Sequence, residues 1–250
     1  MIGFPGCYPN DYAQRMMEAL CTHPNVGAVV LVSLGGESFD RLQLERVVAD
    51  SGRPVTSVVI QKVGGTRRAI NAGHSFLRKT LLAPEAAERV RMKVRELVVG
   101  TVCGDSDGTS GITGNPAAGL AFDGLVKRGA ACIFEKTGEL IGCEHIMSAR
   151  ARIDELGAEL VAAEEKAARY YATLGCDSFA VGNAEGGLST IEEKSLGAYA
   201  KSGFSKISGL LKPGDRPPKG GLYLLDVVPD GEVRFGFPNL NHYRLTPVVV

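Results

Sequence analysis

The chain has no tryptophan, and aromatic residues make up only 6% of its 250 positions. That leaves little with which to stack bases and argues against a single-stranded nucleic-acid platform. Neither charge sign is in excess: 28 basic residues balance 28 acidic ones, so no basic face is called for and nucleic acid is not expected as a partner. No apolar run approaches the ~20 residues of a membrane span, so no membrane association is expected either. The opening Met1-Ile2-Gly3-Phe4-Pro5-Gly6-Cys7 lacks the charged and long apolar regions of a signal peptide. The six cysteines (Cys7, Cys21, Cys103, Cys132, Cys143 and Cys176) include no Cys-x-x-Cys pair. A chain of this length needs no disulfide staples, which points to reduced thiols and a cytoplasmic location. No Walker loop and no nucleophile elbow are read from the chain, and Gly-x-Gly-x-x-Gly does not follow the first strand, which disfavours a dinucleotide cofactor.

What is present is an ordinary globular composition, 44% hydrophobic and 22% charged, enough for one large or two smaller cores. The spacing predicts a helix over 10–22 with Asn10 as N-cap, broken by His23-Pro24-Asn25. A continuous apolar run over 26–33 reads as a buried parallel strand. Ser38 or Asp40 then caps a helix to about 50, 54–61 is a second strand, and Gly64-Gly65-Thr66 opens a helix carrying Arg67 and Arg68. Further on, the pattern predicts a helix over 84–97, strands over 97–102 and 130–135, and one long helix over 148–174 closed by Gly175. It also predicts a glycine-rich loop over 182–190, a helix over 191–198, a flexible linker over 213–221 and a strand over 222–228. Strand and helix alternate, so the expected fold class is α/β: mostly parallel sheets with flanking helices, built of Rossmann-like βαβ units in two subdomains. The expected division is a small Rossmann-like subdomain over 1–80 and a second α/β domain over 81–250.

The most informative stretch is 103–116, Cys103-Gly104-Asp105-Ser106-Asp107-Gly108-Thr109-Ser110-Gly111-Ile112-Thr113-Gly114-Asn115-Pro116. A loop holding a thiol, two carboxylates and several hydroxyls after an apolar strand is poorly suited to core packing and sits where α/β sheets bind ligands. Asn115-Pro116 reads as a helix start whose N-terminus favours an anion. Four polar loops, at 6–11, 35–38, 103–115 and 182–190, are expected to converge on one crevice. Cys7 and Cys103, in glycine-rich loops, are candidates for ligation or reactivity, whereas Cys21 and Cys132 read as core residues. Arg67 offers a bidentate fork for a carboxylate, and His145 a neutral ligand or base. His74 reads as a helix C-cap, His23 as a turn residue, and Glu192 and Glu193 as solvated helix-start residues; Lys194 reads as a surface residue or as one that reaches into the loop before it.

The stretches 103–116 and 182–197, with His23-Pro24-Asn25-Val26-Gly27 and Ile60-Gln61-Lys62-Val63-Gly64-Gly65-Thr66-Arg67, resemble the altronate/galactarate dehydratase family of sugar-acid lyases. Gly6-Cys7-Tyr8-Pro9-Asn10-Asp11-Tyr12 and Gly220-Gly221-Leu222-Tyr223-Leu224-Leu225-Asp226 are most similar to its sulfo-lyase branch, in the large subunit that acts on sulfolactate. The resemblance implies elimination of sulfite or water from a small 2-hydroxy acid to give a 2-keto acid, with a divalent metal, iron(II) or manganese(II). It implies catalytic roles for Cys103, Asp107 and His145, and substrate binding by Thr66, Arg67, Ser110, Asn115 and Asn183. It draws metal ligands from Cys7, Glu37, Cys103, Glu144 and His145. It also implies a small partner subunit carrying an N-terminal domain, and a homo-oligomer. Three departures stand out: Gly36 where members carry cysteine, Asp105 in place of glycine, and Gly114 in place of alanine. The similarity stops near Leu240, so the chain reads as a member shortened at both ends, and a non-catalytic remnant is the alternative to a lyase. A hydrolase is the weakest reading.

Overall fold

In a computed structural model the described residues are 11–81, 91–102, 106–135, 137–173, 175 and 178–228. The expected α/β class holds: two sheets are present and every strand pair in them is parallel. The chain divides into compact units of residues 1–91 and 92–250. No described helix is long and apolar enough to cross a membrane.

In the first unit, α1 (Asp11–Cys21) precedes β1 (Val29–Ser33), α2 (Arg41–Asp50) and β2 (Val55–Val59). Asp40 caps α2, its carboxylate accepting from the Gln43 N–H at 2.8 Å. Val29 and Leu31 on β1 bury one side against Leu44 and Val48 of α2, with Met17 and Cys21 of α1 packed on the same cluster. A side chain such as Leu44, 1% exposed, contributes about 1.5–3 kcal/mol through burial. His23 fixes its turn as expected: its Nδ1 accepts from the Asn25 N–H, and Arg53 clamps the carbonyls of His23 and Val26. A short helix, α3 (Ile60–Val63), ends at Gly64 in the left-handed region (φ 86°), and α4 (Thr66–Leu81) follows. His74 lies inside α4, exposed, rather than at its C-terminus.

The second unit holds a four-stranded sheet in the order β3 (Val98–Thr101), β4 (Ala131–Glu135), β6 (Gly221–Leu225), β5 (Ile207–Leu211). Cys132, Phe134, Leu222, Leu224 and Ile207 face one core with Phe122 of α5 (Gly114–Lys127), Met147 of α6 (Glu144–Arg150), and Leu156 and Leu160 of α7 (Asp154–Thr173). Ala131, Ile133, Tyr223 and Leu225, the alternate positions, form the opposite cluster. Between α7 and β5 lie α8 (Val181–Glu185) and α9 (Ile191–Ala200).

Several expectations are corrected here. Residues 91–97 are not helical beyond one 3-10 turn, Val94–Glu96, because the chain must extend to feed β3: the Leu97 carbonyl already accepts from the Ala131 N–H. The expected helix over 148–174 is two helices. At Ala151 the backbone turns extended (ψ 149°) and bridges to Ile207, with the Arg152 N–H donating to the Ile207 carbonyl at 3.0 Å. Sheet pairing there wins over a helical run. Half of the loop at 182–190 is α8. The linker expected over 213–221 is a connection within the larger sheet. It joins two neighbouring parallel strands, and its ends are tied by the Lys212 N–H to Asp215 and the Tyr223 hydroxyl to the Lys219 carbonyl. β5 itself goes unread in the sequence, since Ser208 and Gly209 interrupt its apolar run.

Candidate functional site

The β3-to-α5 connection leaves the carboxyl end of the sheet, where α/β proteins place ligands. Its described part is built on Asp107, whose Oδ1 accepts from the Thr109 N–H, the Thr109 hydroxyl and the Ser110 N–H, each at 2.7 Å. The Thr109 hydroxyl, then the N–H groups of Ser110 and Thr109, hold the Asp107 carboxyl below the usual range. The side chain is exposed. A carboxylate so stabilised shapes the loop and is a weak base.

Two glycine-rich stretches close on each other here. The Gly108 N–H donates to the Gly186 carbonyl at 2.9 Å, and a Cβ on Gly186 would stand 3.0 Å from that of Asp107. Gly111 meets Gly197 in the middle of α9, where a Cβ on Gly111 would lie 3.1 Å from the Gly197 Cα. Asn115 Nδ2 donates to the Gly197 carbonyl at 2.9 Å. Asn115 therefore clamps α5 to α9; it is the second residue of α5, whose N-cap position is Thr113, and does not cap the helix as expected.

Between these stretches lies a cavity of about 260 Å³ whose wall includes Asp107, Ser110, Asn115, Glu193 and Lys194, with Ile112 and Leu196 at its exposed apolar margin. The volume falls below the roughly 300–1,000 Å³ of drug-sized sites and suits a small molecule. Thr190 caps α9 by accepting from the Glu193 N–H, while Glu193 Oε2 accepts from the N–H and hydroxyl of Ser189 at 2.7 and 2.6 Å. This reciprocal arrangement fixes the α9 entry and, through the Ser189 hydroxyl first, holds the Glu193 carboxyl low.

Asn183 is 4% exposed and is not on the cavity wall. Its Oδ1 accepts from the Ala180 N–H at 2.8 Å and from Lys194 Nζ at 3.0 Å, and its Nδ2 donates to the Ser106 carbonyl at 3.0 Å. The amide ties the two stretches together. Of the two readings of Lys194, the structure takes the one that reaches into the preceding segment, not the surface one. Lys194 is 7% exposed, because α9 turns its first-turn side chain inward over α8.

The other candidates stand elsewhere. Glu144 and His145 open α6; Glu144 Oε1 accepts from the Gly142 N–H at 2.8 Å, His145 is exposed, and neither is on the cavity wall. Glu37, Thr66 and Arg67 belong to the first unit. There the Ser33 hydroxyl and then the Gly35 N–H bring the Glu37 carboxyl down to about 2, and Thr66 and Arg67 are exposed at the start of α4. A Cβ on Gly36 meets nothing within 4 Å, so the cysteine that the resemblance implies there would find room. Cys7, Cys103 and the N-cap expected at Asn10 lie outside the described residues. Among the described residues no three His, Cys, Asp or Glu side chains are grouped to hold a metal. The described donors therefore do not fit a metal by themselves, and no step below passes through one. The letters Gly104-Asp105-Ser106-Asp107-Gly108 do spell Gly-x-Ser-x-Gly, a spacing the sequence analysis passed over. Helix α5 starts only at Gly114, so Ser106 is on no strand-to-helix elbow.

Fold and cavity together define a parallel α/β protein with a small polar site at the strand ends. The chain belongs to the D-galactarate/altronate dehydratase family: residues 94–234 match its C-terminal domain, D-galactarate/Altronate dehydratase, and residues 3–84 match D-galactarate dehydratase/Altronate hydrolase, second domain. It is similar to galactarate dehydratase (L-threo-forming) of Escherichia coli strain K12, 34% identical over 220 residues, covering 83% of this chain and 42% of the relative. It is 33% identical over 217 residues to (2R)-sulfolactate sulfo-lyase subunit beta of Chromohalobacter salexigens, covering 82% of this chain and 53% of that protein. Altronate dehydratase of Bacillus subtilis is 31% identical over 208 residues, 82% of this chain and 41% of its own length. The chain thus spans about half the length of the curated relatives it matches. The resemblance expected from the motifs holds.

Proposed function

We propose that this chain is the catalytic body of a lyase that eliminates sulfite, or water, from a small 2-hydroxy acid such as 3-sulfolactate and leaves a 2-keto acid. The observation that carries the reading is the meeting of residues 106–112 with Leu188 and α9 around one small cavity at the strand ends. In the sulfolactate reaction a base takes the C2 proton, the C2–H electrons form the C2–C3 double bond, and the C3–S pair leaves with sulfite. The enol then takes a proton at C3 and becomes pyruvate. Charge gathers on the carboxylate as the C2 proton departs, so donors fixed around that carboxylate lower the barrier. Lys194 is such a donor on the cavity wall. Cys103 remains the proposed acid–base group, since Asp107 is spent on its own loop and His145 is not on the cavity wall. A divalent metal, iron(II) or manganese(II), stays part of the proposal, with Cys103 as a donor beyond the described set. The name of the sulfo-lyase relative, a subunit beta, supports a second, small subunit as partner.

A second reading, a sugar-acid dehydratase, is favoured by the galactarate and altronate dehydratases among the relatives. One experiment reads both. Pyruvate and sulfite release from 3-sulfolactate, and keto-acid formation from galactarate and altronate, are measured anaerobically with iron(II) or manganese(II), with and without a small subunit. The expected result is release from sulfolactate that Cys103→Ala lowers at least about a hundredfold. Turnover of a sugar acid alone moves the assignment to the dehydratases. No product from any acid overturns the lyase reading in favour of a fold retained without catalysis.

A further inference from the structure

Lys194 is a buried cation on a cavity wall with no charge to answer it. It is 7% exposed, and its Nζ donates to Asn183 Oδ1 at 3.0 Å and to the Ser178 carbonyl. Both acceptors are neutral. No carboxylate of the described residues is within 4.0 Å of it, whereas the buried Asp226 has two lysines, Lys166 and Lys212, at 2.6 and 2.7 Å. The two carboxylates nearest in the wall are turned to other donors: Asp107 to Thr109 and Ser110, Glu193 to Ser189. A desolvated charge is costly unless paired, and an ammonium has three donors, of which two are used.

We infer that Lys194 is the anion anchor of the cavity, giving its third N–H and its charge to the carboxylate or sulfonate of a small acid. The inference rests on the cavity being the acid's site. Asn183 is the positioning residue that makes the anchor useful. One end of its amide holds the Lys194 ammonium and the other the Ser106 carbonyl, so the anion and the described loop from Ser106 onward keep one geometry.

The test is calorimetric titration of 3-sulfolactate and of galactarate into the wild type, Lys194→Met and Lys194→Arg at fixed ionic strength. The expected result is that Kd for the acid that binds weakens at least about tenfold in Lys194→Met and only a few-fold in Lys194→Arg. Wild-type affinity in Lys194→Met overturns the anchor and leaves the lyase reading standing. If neither acid binds the wild type, the lyase reading fails, and inorganic sulfate decides the anchor separately. Sulfate that raises the wild-type melting midpoint above sodium chloride of equal ionic strength, but not that of Lys194→Met, supports it; equal responses overturn it. Should Lys194→Met not fold, reductive methylation of the wild type is read by mass spectrometry of the Lys194 peptide. Protection by 3-sulfolactate or sulfate is expected, and equal labelling with and without them overturns the anchor.

Discussion

Glu164 shows how much a single side chain can cost this fold. It is fully buried on α7, and neither carboxyl oxygen has a hydrogen-bond partner. Burial first, then the negative charges of Glu144 and Asp226, push its carboxyl up to about 9. The folded protein therefore keeps this proton at neutral pH, while the unfolded chain releases it near 4.5. With the folded value above the unfolded one, the penalty is absent below about pH 4.5, grows as pH rises and levels off above about 9. Glu164→Gln, which mimics the protonated form, is expected to match the wild type in urea-melt stability at pH 5 and to exceed it by a few kcal/mol at pH 8. A gap that does not widen with pH would remove Glu164 as its source. Glu37 has the opposite sign: its hydrogen bonds contribute above the ordinary carboxylate range and are lost as pH falls toward about 2.

Helix α5 is held by contacts no sequence pattern announces. Gly119 faces the end of α9 so closely that a Cβ would land on the Ala200 carbonyl oxygen, and Gly203, at φ 66°, turns the chain there. Asp123 then accepts from the N–H groups of Phe204 and Ser205 at 2.9 and 2.8 Å. Gly119→Ala is expected to cost about 1–3 kcal/mol through overpacking, despite its better helix propensity. A chemical-denaturation midpoint unchanged from wild type would show that α9 gives way freely. At this scale the strands β1, β2, β3, β4 and β6 and the helices α1, α2, α4 and α9 were legible, because their apolar periods, the cap at Asp40 and the acidic first turn of α9 are local signals. The break at Ala151 was not, since its cause is a bridge to Ile207, over fifty residues away. The same holds for the site. The loop at Asp107 could be read from its own residues, but the burial of Lys194 depends on Ser178 and Asn183, 16 and 11 positions away.

At the scale of the whole chain, each unit carries its own sheet and its own buried cluster. We propose the two units as separate folding domains. Residues 92–250 produced alone are expected to keep a cooperative thermal transition and native-like far-UV dichroism, because Leu160, Ile207, Leu222 and Leu224 complete their core within that unit. A fragment that melts without cooperativity would make the first unit part of that core. The family match places both units in one lineage, and the sequence motifs made that legible where no composition or period could.

The order of the larger sheet sets a timetable for its assembly. Its second and fourth strands pair across ninety positions, Ala131 with Gly221, and β6, the last described strand to leave the ribosome, is a middle strand between β4 and β5. Until it is synthesised, those two strands wait with unsatisfied edges and apolar faces that can find each other on neighbouring nascent chains. Closure is slow because it is distant in sequence. Expression temperature and translation rate are therefore expected to influence the yield of this protein.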